Sequence, residues 1–228
     1  MMKRRFLLLA LAFTLAVSPN LIAEQFSIAR IYIEYNSTPQ DLGFHITLDG
    51  EDWRSLKIVN PKGKTIFEVA GKAAFRELGM TELFFEGAEP ALSEVPLAEL
   101  LGMFPEGTYR FMGTTVDGKR INGTSTFTHA IPDGPTIWSE VSGDNVVIRW
   151  NPVTAPPRGF PVRNIEIVGY QVIVEKFLVT LPGSATSVTV PKEFMRSIPA
   201  GVVLYEVLAI DASGNQTITE GSFNRTTE

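Results

Sequence analysis

From residue 146 onward, apolar side chains recur at every second position: Val146, Ile148 and Trp150, then Tyr170, Val172 and Val174, then Phe177, Val179 and Leu181, then Val188 and Val190. A period of two belongs to a strand with one face in a core, whereas a helix repeats every 3.6 residues. Pro182-Gly183 and Pro191 punctuate the series, so the strands are short and turn-bounded. The pattern predicts an antiparallel sandwich. Leu204, Leu208 and Ile210 alternate with Val207 and Ala209, so the last long strand carries apolar residues on both faces. It is expected to be central and partly covered on its outer side.

Trp150, Tyr170 within Gly169-Tyr170-Gln171-Val172, and Tyr205, Val207, Ala209 and Gly214 together resemble the framework of the fibronectin type III family. The tryptophan matches that family's strand B, the first tyrosine its strand C, and the last run its strand F with the turn behind it. The resemblance covers about residues 135–223 and implies an immunoglobulin-like scaffold for binding or spacing. The proline-rich stretch 152–161 departs from it, being longer than a compact hairpin. Physical reasoning agrees with the likeness, since Trp150 and Tyr170 are large enough to bridge sheets about 10 Å apart. Tyr205 is expected to set its hydroxyl against upstream backbone, as a tyrosine corner does.

Two prolines and an Asp-Gly pair in His129-Ala130-Ile131-Pro132-Asp133-Gly134-Pro135 cannot continue a central strand. The domain break is therefore placed there, with 24–130 as a β-rich first domain and 131–228 as the second. In the first, Ile31, Ile33 and Tyr35, and then Phe44, Ile46 and Leu48, alternate as half-buried strands do, and residues 65–69 add another. Residues 72–78 and 96–101 are predicted to be short helices, marked by Gly79, Pro96 and Gly102. A repeat links the halves: Pro105-Glu106-Gly107 precedes Tyr109, Pro199-Ala200-Gly201 precedes Tyr205, and Phe127 and Phe223 each follow their tyrosine by eighteen residues. That spacing predicts two hairpins, turning at Asp117-Gly118 and Ser213-Gly214-Asn215. The fold class expected is all-β, a fibronectin type III-like sandwich preceded by a β-rich domain with short helices that the repeat suggests is also immunoglobulin-like.

Lys3, Arg4 and Arg5 stand before the apolar run 6–17, and Ala23 follows shortly after, the order of a secretory leader spanning 1–23. The run is well short of the ~20 residues that a membrane-spanning helix needs. Export to the periplasm or beyond is expected, with no membrane insertion after cleavage. Without the leader, 17 basic residues face 25 acidic ones, a net charge of −8. Nucleic acid and anionic membrane are poor partners for such a surface. The chain has no cysteine, which excludes disulfides, thiolate metal sites and cysteine nucleophiles, and fits a bacterial envelope better than an animal secretory route.

Candidate sites are few. His45 alternates with core residues and is expected to point outward, while His129 lies at the domain junction. Neither belongs to a Gly-x-Ser-x-Gly elbow or a recognisable triad. Asp49-Gly50-Glu51-Asp52 lacks the order of a calcium loop and offers too few oxygens alone. Acids cluster again at Glu82, Glu86 and Glu89. Glu82 and Glu86, four apart in a strand, would lie about 13 Å apart, too far for a glycosidase pair. Trp53 and Trp138 could form exposed stacking platforms, and Asp211 and Asn215 sit in the loop 211–216, where side chains are free of core constraints. No phosphate loop, zinc spacing or basic aromatic stripe is present, so no cofactor or metal is implied.

The expected function is an exported, non-enzymatic binding or structural module that presents sandwich loops to an envelope or extracellular protein or glycan. Contacts would come from Trp53, Trp138, Asp211 and Asn215, with 152–161 and 49–53 as neighbouring loops. The alternative is an exported hydrolase in which Asp49, Asp52, Glu82 or Glu86 works with His45. It requires those side chains to share one concave pocket.

Overall fold

The computed structural model describes residues 23–226, so the predicted leader lies outside the described residues except for Ala23. The first half runs β1 (Glu24–Gln25), β2 (Ile28–Asn36), β3 (Asp41–Val59), β4 (Thr65–Ala70), α1 (Ala74–Leu78), β5 (Met80–Glu86), α2 (Leu97–Met103), β6 (Gly107–Thr115) and β7 (Arg120–Phe127). The second runs β8 (Ile137–Ser142), β9 (Asn145–Trp150), β10 (Ile167–Val174), β11 (Phe177–Pro182), β12 (Ser187–Val190), α3 (Lys192–Ser197), β13 (Gly201–Asp211) and β14 (Gln216–Arg225). The fold is all-β, with three short helices among the described residues. Both predicted first-half helices form; α3, which Pro191 opens and whose Met195 is buried, carried too short a pattern to be expected.

In the second half, the antiparallel sheet β12-β9-β8 faces the β14-β13-β10-β11 part of a larger sheet. Alternate residues enter the space between them, because successive side chains on a strand point to opposite faces. Trp150 and Tyr170 meet there with ring centroids 5.3 Å apart, packed with Val172, Val207 and Phe223. The Tyr170 hydroxyl accepts the Val153 N–H at 2.9 Å. Tyr205 differs from expectation: its hydroxyl lies toward the Ser139 side chain across the sandwich, and it makes no bond to upstream backbone among the described residues. Strand β13 is central, as expected, and Leu208 on its outer side is buried, but Leu204 is 63% exposed.

The first half wraps around its own core, which Ile33, Leu42, Leu48, Leu56, Tyr109 and Phe111 help to build. Its frame is β3, 19 residues long, which pairs with β2 and β5 over its first part and with β4 and β6 over its second. Between these parts, at residues 49–53, the register shifts against β5. The acidic segment expected to be a turn is thus a bend inside one strand.

The two hairpins of the repeat superpose in register. Phe127 lies opposite Gly107, two residues before Tyr109; Phe223 lies opposite Val203, two residues before Tyr205. Their turns share hydrogen bonds, Thr115 N–H to Lys119 carbonyl at 3.0 Å and Asp211 N–H to Asn215 carbonyl at 2.9 Å. Both place glycine at positive φ, 87° at Gly118 and 90° at Gly214, where a side chain would be strained.

One sheet passes through both halves. Glu34, Tyr35 and Asn36 of β2 pair in parallel with Gln216, Thr217 and Ile218 of β14. The linker between the halves is buried at Ala130, Ile131 and Pro132, and Phe160 from the 152–161 stretch packs on Tyr35 at 4.9 Å. Arg163 adds an ion pair with Glu106 at 2.9 Å.

Candidate functional site

The residues expected to meet a ligand are mostly interior. Trp53 is completely buried, so it is a core residue and not a platform. Asp211 is 3% exposed and accepts the backbone N–H of Glu166 at 2.7 Å and of Ser213 at 2.9 Å. Asn215 is 1% exposed; its carbonyl accepts the Ile33 N–H at 2.8 Å, and its amide donates to the Thr128 and Ala130 carbonyls at 2.9 and 3.0 Å. Asn215, with Gln216 bonded to Glu34, therefore joins the halves, while Asp211 is spent on backbone within the second half. Only Trp138, 41% exposed on β8, keeps the surface position expected of it.

The acidic residues of the hydrolase alternative do not converge. Asp49 faces Glu82 across β3 and β5 and accepts the Ser27 hydroxyl at 2.9 Å, with His45 about 13 Å away along the strand. Asp52 lies in the bend beside Gly79. Of the four, Glu86 alone is the cross-strand neighbour of His45.

His45 stands in a different company. It does point away from the core formed by Phe44 and Ile46, yet it is only 4% exposed. Tyr32, opposite it on β2, stacks on the imidazole at 5.0 Å and 25°, and Phe84 closes another side at 5.9 Å. The chain beyond β5 then lays Glu89 over the sheet. Nε2 of His45 is 3.7 Å from Oε1 of Glu34 and 3.7 Å from Oε1 of Glu89, both too long for hydrogen bonds. Neither ring nitrogen has a hydrogen-bond partner among the described residues. The second oxygen of Glu34 accepts the Gln216 amide, so this carboxylate is held from β14.

Glu89 reaches the cluster because Gly43 has no side chain. A Cβ there would lie 2.6 Å from Glu89 Oε1 and 2.7 Å from its Cγ. Burial, with Glu86 and Glu34 adding repulsion, pushes the Glu89 carboxyl up to about 7. The arrangement of one imidazole and two carboxylates can hold a cation or share protons; it contains no hydroxyl or thiol nucleophile. Sequence reasoning paired His45 with other acids; it noted Glu89 only in a cluster with Glu82 and Glu86, and it did not single out Glu34. The small residue Gly43 beside His45 and the aromatic Tyr32 opposite were the available signals.

On the other face of β3, Phe44, Ile46, Phe85, Leu100, Met103 and Phe104 help to line an apolar cleft of about 330 Å³ under α2.

No protein-family model matches the sequence, and no curated protein matches it. Among solved structures, the spore cortex lytic enzyme SleM of Clostridium perfringens is 20% identical over 41% of this chain and 28% of its own, with a TM-score of 0.34. A Ca2+-stabilized ice-binding adhesin of an Antarctic bacterium is 13% identical over 90% of this chain and 49% of its own, at 0.31. A bacterial ice-binding adhesin involved in host cell surface retention is 13% identical over 91% and 66%, at 0.28. The chain thus spans less than two thirds of each, and no function is drawn from likenesses this distant.

Proposed function

We propose that the chain is an exported, non-enzymatic binding or structural module whose second half is a fibronectin type III-like sandwich, and that its partner is an envelope or extracellular protein. One observation supports this above others: large aliphatic side chains stand in solvent on the outer face of the shared sheet. Val202 is 68% exposed, Leu204 63% and Leu178 58%. Leu178 lies opposite Ile173, and Ile173 and Leu204 line one shallow hollow of about 180 Å³ together with Glu175 and Glu206. Burying such aliphatic groups is worth roughly 25 cal/mol per Å², and a partner that covers them would meet Glu175 and Glu206 with donors of its own. Aliphatic surface of this kind complements protein. Glycan platforms are flat aromatic faces, and Trp138 is the one tryptophan with substantial exposure.

The test is affinity capture from the native envelope with tagged chain 24–228 and with a Leu178→Glu, Leu204→Glu variant of equal thermal stability. A protein retained by the first and lost by the second supports the reading. Equal capture by both, or binding only on a glycan array, overturns the protein-partner reading, and turnover of an envelope polymer overturns the non-enzymatic one.

A further inference from the structure

His45 is a buried imidazole without a hydrogen-bond partner among the described residues. Folded proteins rarely leave a ring nitrogen without water or partner, because the desolvation is uncompensated. Here both nitrogens are bare and Nε2 is aimed between two carboxylate oxygens, each 3.7 Å away. The three candidate donor atoms lie within 4.8 Å of one another. A tetrahedral zinc ion with arms of about 2.0–2.1 Å sets its ligands roughly 3.4 Å apart. The two separations from the imidazole, 3.7 Å each, need to close by only a few tenths of an ångström. The two carboxylate oxygens, within 4.8 Å of each other, need a larger swing, which the partly exposed Glu89 side chain has room to make. Imidazole with carboxylate suits zinc and its neighbours, whereas calcium wants six or more oxygens.

We propose that Glu34, His45 and Glu89 form a binding site for a zinc-type divalent cation, with a fourth position open to solvent beside Glu89. Three features of the surroundings fit it. Gln216 holds the far oxygen of Glu34, as outer-shell partners hold metal ligands. Gly43 leaves the slot in which the Glu89 side chain lies. Glu34, Glu86 and Glu89 crowd like charges around one imidazole, and a dication relieves that repulsion. The cation would tie β2, β3 and the segment after β5 together beside the seam with β14. The site does not depend on the protein-partner reading, and the two leucine substitutions would leave it unchanged.

The experiment uses chain 24–228 freed of metal by a chelator and titrated with Zn2+ alone. One saturable equivalent per chain is expected, with a melting temperature that rises with Zn2+ concentration. The chain has only two histidines, so nuclear magnetic resonance separates them: the His45 ring signals should shift, and those of His129, which lies 2.8 Å from the Phe104 carbonyl, should not. Glu89→Gln, at a partly exposed side chain, should weaken binding by more than the ~10–100-fold that an outer-shell partner is worth, and Gly43→Ala should do likewise by displacing Glu89. His45→Gln should abolish it; if that variant does not fold, the ring signals and Glu89→Gln decide. No saturable binding, a shift confined to His129, or undiminished affinity in Glu89→Gln overturns the proposal.

Discussion

Asn215 shows how a single side chain can read one way in sequence and act another way in the fold. In a Ser-Gly-Asn turn it resembles a solvated loop residue, yet it satisfies three backbone groups drawn from β2 and from the linker. Asn215→Ala should destabilise the protein by about 1–3 kcal/mol through the unpaired groups it leaves, measured by denaturant unfolding. Trp53 misleads for a related reason. The core-facing residues Phe44, Ile46 and Leu48 set an even phase that places residue 53 outside, but the bend at 49–53 resets the phase and turns the tryptophan in. His45 was legible in direction and not in burial, because the covering groups Phe84 and Glu89 come from a segment about forty residues away. Strand register brings Phe84 there, and the chain after β5 brings Glu89.

At the level of elements, the strands with unbroken alternation were legible: β9, β10 and β13 and the two repeat hairpins follow directly from apolar period and turn glycines. What alternation does not reveal is which strands pair, and therefore which charges meet. Glu206 on β13 faces Glu220 on β14, a like-charge cross-strand pair. Burial, then Glu220 and Glu34, raises the Glu206 carboxyl above its ordinary value. A carboxyl whose folded pKa exceeds the unfolded one favours the folded chain in acid, and that contribution is lost as pH rises through the folded value. Glu206→Gln removes the dependence. The variant should be more stable than the parent at pH 7 by about 0.2–1 kcal/mol, with the difference closing on acidification in paired unfolding titrations. Glu106 and Asp144, held low by Arg163 and Arg196, titrate in both proteins and cancel in the difference.

Across the whole molecule, two cores share a sheet, a buried linker and the Phe160 strap, which couples their stabilities. Unfolding of the parent chain followed by nuclear magnetic resonance at the Trp53 and the Trp150 indole signals should give coincident transitions; two resolved midpoints would show independent halves. The seam itself is three residues long on each strand. Over that stretch β2 and β14 each spend their outward hydrogen-bonding groups on the other, and neither has a free border there. Separating the halves would therefore expose raw strand margins, natural templates for self-assembly. Fragments 24–130 and 131–228 prepared apart should clump or pair with themselves, while mixing them should restore a soluble one-to-one species on size-exclusion chromatography.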